Sequence, residues 1–111
     1  MTISNYFFDG GNVTAALATQ GDIVPANNKR KITGAVVCND TGLAKTFTAV
    51  IVGSATAAAV TLISARTISP GESYTCPELV GRGMNTGGYL QVSADVAGMD
   101  FKFEALNITN G

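Results

Sequence analysis

The reactive side chains of this 111-residue chain are eight carboxylates, two thiols, a scatter of hydroxyls and no histidine. Without histidine the commonest acid/base near neutral pH and a favoured metal ligand are missing. A serine nucleophile would need a lysine or a terminal amine as its base. Ser64, Ser69 and Ser73 lie near Arg66 and Glu72 but match no nucleophile motif. Paired carboxylates can cleave glycosides, yet Asp9, Asp22, Asp40, Asp95 and Asp100 are scattered, mostly in turn-like contexts that favour aspartate for geometry alone. Asp95 and Asp100 around Gly98 could offer hard oxygens to calcium; the spacing is not that of an EF-hand, and a plain turn is the better reading. Gly81-Arg82-Gly83 lacks the context of a phosphate-cradling loop. Tryptophan is absent and aromatics are few, which argues against a base-stacking platform. The chain reads as a structural binding protein with no catalytic residue, cofactor or metal.

Charge narrows the partners. Seven basic and eight acidic residues leave a formal net charge of −1, so no general field attracts nucleic acid. The one basic cluster, Lys29-Arg30-Lys31, reads first as a solvated strand entrance and second as a contact for an acidic patch on a protein. Met1 to Tyr6 has neither the basic nor the apolar region of a secretory signal. No apolar run approaches the roughly 20 residues that span a bilayer. Cytoplasmic synthesis is therefore expected, with Cys38 and Cys76 reduced and acting as small hydrophobes; a disulfide between them is left open.

The elements that would position these residues are strands. Apolar and polar residues alternate through most segments between turns, which predicts pleated elements with one face buried. Strands are expected at Ile3–Phe8, Val13–Thr19, Lys31–Asn39, Lys45–Gly53, Val60–Ile68, Ser73–Cys76, Tyr89–Val96 and Asp100–Thr109. Turns are expected at Asp9–Asn12, Asp40–Gly42 (a hairpin), Ser69–Gly71 and Ala97–Gly98, with a short helical turn near 77–84. In Lys31–Asn39, Ile32, Gly34, Val36 and Cys38 share a face. In Lys45–Gly53 both faces are apolar, so one meets the core and the other something else. In the last strand Phe101, Phe103 and Ala105 oppose Leu106 and Ile108, which implies a bulge near Ala105 or burial on both sides. About eight short strands predict one domain over residues 1–111, an all-β antiparallel sandwich of jelly-roll or immunoglobulin-like type.

One stretch carries a resemblance. Leu62 to Tyr74, with its Ser69-Pro70-Gly71-Glu72 turn, followed by Cys76-Pro77-Glu78-Leu79-Val80, resembles small virion proteins of tailed double-stranded DNA bacteriophages. Size and pattern look like the head-decoration, or cement, proteins of epsilon15-like short-tailed phages, over roughly Val60 to Ala105. The resemblance implies a β-sandwich on the capsid exterior that bridges major capsid subunits, as a homodimer, with no catalytic residues to carry over. Under it, Tyr6, Phe7, Phe8, Arg30, Arg66 and Met84 are the candidate contact residues, with ordinary core or rim the stronger alternative for the aromatics. Its rivals are a neck, tail or fibre component and a carbohydrate-binding β-sandwich module.

Overall fold

Ten strands follow one another along the chain: β1 (Thr2–Phe7), β2 (Gly11–Asn12), β3 (Ala18–Gln20), β4 (Asn28–Cys38), β5 (Lys45–Val52), β6 (Val60–Ile68), β7 (Ser73–Tyr74), β8 (Gly83–Met84), β9 (Tyr89–Ala94) and β10 (Asp100–Thr109). The computed structural model describes residues 2–8, 11–13, 15–95 and 99–109. Of the turn expected at Asp9–Asn12, Asp9 and Gly10 lie outside them, as do the Ala97–Gly98 turn, Thr14 and Val96, while Gly11 and Asn12 form β2.

The pairings are antiparallel and nested. β1 pairs β10, β3 pairs β9, β4 pairs β7 and β5 pairs β6, so the chain runs out as one two-stranded ribbon and returns along it. The ribbon is rolled: β10 also pairs β4, and β9 also pairs β5. Two sheets result, β1-β10-β4-β7 with β2 and β8 added, and β3-β9-β5-β6. That is the jelly-roll order of the two expected sandwich types. The Pro70-Gly71 corner forms as the sequence predicts, with Gly71 at φ 76° and the Glu72 N–H donating to the Ser69 carbonyl at 3.0 Å.

Alternation decides what goes inside. Phe47, Ala49 and Ile51 of β5 and Leu90, Val92 and Ala94 of β9 face Ile32, Val37, Phe101, Phe103 and Ala105 across the sandwich core. Val50 and Val52, on the other face of β5, are also buried, flanked by Gln91, Thr61 and Tyr89 of the neighbouring strands. The central position of β5 supplies their cover.

Four expectations are corrected. The single face expected in β4 breaks at Gly34: Glu104 pairs with Gly34 and Ala105 with Ile32, leaving Thr33 with no opposite residue. This extra residue flips the facing, so Ala35 and Val37 turn inward and Val36 is left 39% exposed. The irregularity expected at Ala105 therefore sits opposite it, on β4. Asp40–Gly42 is not a hairpin, because β4 and β5 belong to different sheets. Buried Asn39 holds that crossing, its amide donating to the Leu43 and Ile68 carbonyls at 2.8 Å each. Residues 77–84 contain no helix; Leu79 N–H to Cys76 carbonyl and Arg82 N–H to Leu79 carbonyl make two successive turns. The strand expected from Val13 shrinks to Ala18–Gln20, and Leu17 is exposed.

Both thiols are free, Cys76 fully buried and Cys38 half-buried. Burial pushes the Cys76 thiol up to about 12. In the native protein a thiol reagent is expected to modify Cys38 alone, and both thiols only after denaturation, read by mass spectrometry. Phe103, fully buried, should cost about 3–5 kcal/mol on replacement by alanine, measured by chemical unfolding.

Candidate interaction surface

Because successive strand residues point to opposite faces, the inward set of β10 fixes an outward one. Phe101, Phe103 and Ala105 go to the core, so Lys102, Glu104, Leu106 and Ile108 lie on the outer face of the six-stranded sheet. The register then builds this face in rows. Ile3, Ile108 and Lys29 lie side by side across β1, β10 and β4; Asn5, Leu106 and Lys31 form the next row. Phe7, Glu104 and Gly34 form the third, and Lys102 stands beside Val36 in the fourth. Ile3 is 57% exposed and Phe7 59%, with Leu106 and Ile108 half-buried between the strands. Directly opposed side chains sit about 5 Å apart and diagonal ones about 7–8 Å, so Ile3 and Ile108 meet and Leu106 lies diagonal to them. Phe7 and Val36 stand further along the same face beside Glu104 and Lys102, and Lys29 and Lys31 border the Ile108 and Leu106 rows on β4. The other large exposed apolar residues, Leu17, Ile23, Leu43, Val60 and Val80, come from separate loops and strand ends.

Of the six candidate contact residues, only Phe7 lies on this outer face. Tyr6 and Phe8 alternate inward, and Phe8 packs edge-on against Phe103 with ring centres 6.3 Å apart. Met84 is 2% exposed. Phe8 and Met84 are therefore core residues whose side chains are almost wholly covered. Arg30 is 5% exposed, which also corrects the solvated reading of its cluster: Lys29 and Lys31 face out, and Arg30 between them faces in.

Arg30 and Tyr6 form a clasp with Asp22, which follows β3 in the other sheet. The guanidinium lies 3.6 Å from the Tyr6 ring centre, and its Nη1 donates to Asp22 Oδ1 at 2.7 Å. The Tyr6 hydroxyl donates to the same carboxylate oxygen at 2.5 Å. Arg30 Nε donates to Asn107 Oδ1 at 3.0 Å, so the buried cation is satisfied on several sides. A second clasp closes the opposite side, where exposed Arg66 of β6 lies 4.0 Å from the ring centre of Tyr74 in β7. The Tyr74 hydroxyl donates to Glu78 Oε1. Arg66 is thus engaged in holding the sheets together.

The acids have separate settings. Asp95 accepts the Thr46 N–H at 3.1 Å, while the Asp100 carboxyl stands near that of Asp40. Among the described residues no three His, Cys, Asp or Glu side chains gather as metal ligands. No protein-family model, curated protein or solved structure matches the chain.

Val36, Leu106, Ile108 and Lys102 were not among the contacts expected from sequence, whereas Lys29 and Lys31 entered as the second reading of the basic cluster. The opposition of Leu106 and Ile108 to Phe101 and Phe103 was the available signal for two of them.

The clasps make stability pH-dependent. The Arg30 hydrogen bond holds Asp22 below the usual carboxylate range, and the Tyr74 hydroxyl does the same for Glu78. Folded values below the unfolded ones mean stabilisation that is full above the unfolded pKa of about 4 and lost as pH falls through the folded values. Asp100 runs the other way: the Asp40 carboxyl beside it, able to share a proton with it and repelling it when both are charged, raises its pKa, so its ionisation opposes folding at neutral pH and acid relieves this. The melting temperature should fall from pH 5 towards 2, less steeply in Asp22→Asn and more steeply in Asp100→Asn. Equal slopes in all three proteins would contradict the assignment.

Proposed function

We propose that this chain is a virion structural protein that binds the outer surface of a phage capsid and bridges major capsid subunits to stabilise the shell. The observation that carries the reading is the outer face of the six-stranded sheet, where exposed Ile3, Phe7 and Val36 and half-buried Leu106 and Ile108 lie among Glu104 and three lysines. Contiguous apolar surface rimmed by polar groups marks interaction sites. It lies on one rigid sheet face, where an adhesive surface is best held in shape.

Two further features support the reading. The Val60–Ala105 segment resembles phage head-decoration proteins, and jelly-roll sandwiches recur in viral capsid domains, although lectins share them. A specific contact buries at least about 1,000 Å² in total, or about 500 Å² on this side, roughly a tenth of the 5590 Å² surface. The outer face of the six-stranded sheet can supply that. A dimer that spans two subunits holds on more firmly than one contact suggests, because both attachments must fail together. The protein would be made in the bacterial cytoplasm and end on the capsid exterior, its partner being the major capsid protein.

The test is binding of the purified protein to shells of its phage that lack it. Phe7→Ser and Ile108→Ser should each weaken binding by about tenfold or more, as truncations at an interface centre do. Exposed Phe7 can be changed with little effect on the melting temperature. Wild-type protein should saturate the shell at hundreds of copies and raise its resistance to heat. Saturation at about a dozen copies on one vertex would instead assign it to the neck or tail, given the closed symmetry of such rings.

A further inference from the structure

We infer that the groove beside β8 receives an extended acidic segment of the partner protein, carrying carboxylates at alternate residues. The inference deepens the capsid-binding reading and rests on it for the partner's identity. The groove has a volume of about 350 Å³, with Lys29, Lys31, Gly81, Gly83, Asn85 and Ile108 in its lining and buried Arg30 and Met84 at its floor. A second depression of about 210 Å³ adjoins it, sharing Lys29 and Asn85. Ile108 belongs to both the groove and the outer face of the sheet, so the two surfaces are continuous.

Lys29 and Lys31 are two residues apart on β4 and point the same way, so their stems rise about 7 Å apart. An extended peptide with acids at every second residue repeats at that same interval. Both lysines are exposed, and neither has an ion-pair partner among the described residues.

Gly83 supplies the independent observation. A Cβ built there would meet only the Arg30 carbonyl oxygen, at an ordinary 3.8 Å, and its φ is not left-handed. Neither space nor backbone conformation inside this domain requires glycine at that point. Glycine weakens a strand and often marks a bulge, a bend or a place where a ligand or another backbone approaches closely. Exposed Gly83 leaves room for such an approach beside Lys31, its partner on β4. β8 pairs with β4 alone, so an added strand is a recognised mode of peptide capture at such an edge. Nucleic acid fits poorly, since two lysines in a chain of net charge −1 neutralise few phosphates.

The probe is a synthetic octapeptide alternating glutamate with threonine, titrated into the full chain while backbone amide resonances are followed. Shifts should centre on residues 29–31 and 81–85 and weaken as salt rises. The double variant Lys29→Glu/Lys31→Glu and the single variant Gly83→Leu should each reduce affinity by about tenfold or more, the latter with an unchanged melting temperature. Equal binding of the lysine–threonine counterpart, tighter binding of an oligothymidine at the same residues, or full affinity in both variants would overturn the inference. Shell binding separates the two claims. If wild type and the double lysine variant bind shells equally, the groove falls and the capsid reading stands. If the peptide binds in the groove while wild type ignores shells, the capsid reading falls and the acidic-strand preference stands.

Discussion

The strand on which everything else depends is β10. It pairs with β1 and β2 on one side and β4 on the other, so its ten residues join the outermost pair of the nested ribbon to the interior one. Its alternation is the boundary condition for both faces of the sheet. Phe101, Phe103 and Ala105 must point inward to fill the sandwich, and geometry then sends Leu106 and Ile108 outward. The outward placing of these two residues is thus a direct consequence of how the core is packed. The extra residue Thr33 lets β4 keep its own apolar residues inward against β10 across a change of register.

The sandwich has two open sides, and each is closed by the same chemistry. An arginine stacks on a tyrosine ring, and the tyrosine hydroxyl reaches a carboxylate: Arg30, Tyr6 and Asp22 on one side, Arg66, Tyr74 and Glu78 on the other. The edge strands are managed separately. β6 is irregular, with Ala65 at φ 47° and its N–H donating to Thr48 Oγ1 at 3.0 Å. β3 and β7 are only three and two residues long. Bulges and short lengths discourage unwanted pairing at edges. β1 pairs six residues with β10 without a register shift, and it carries Ile3 and Phe7 of the outer face. Protection is therefore concentrated away from the surface assigned to binding.

The period-two pattern made the sandwich legible, and residues that it sets on one face of a strand, Leu90, Val92 and Ala94 of β9 and Phe101 and Phe103 of β10, lie in the core. It also showed that Leu106 and Ile108 oppose the aromatic face of β10. What it could not show depends on contacts distant in sequence. The inward turn of Arg30 requires Asp22 and Asn107, eight and 77 residues away, and nothing in Lys29-Arg30-Lys31 itself identifies which cation they satisfy. Met84 belongs to a two-residue strand too short for any periodicity to register. Asp40–Gly42 has hairpin composition but crosses between sheets, because strand order is set by the rolling of the ribbon and not by the local turn.

The most direct measurement is a density map of the complete phage particle, fine enough to trace strands in the protein on its surface. The outer face of the six-stranded sheet should lie against the shell, with Phe7 and Ile108 in contact with capsid subunits. A map in which that face looks to solvent while the four-stranded sheet meets the shell, or in which the shell carries no copy of this chain, would contradict the proposed mode of adhesion.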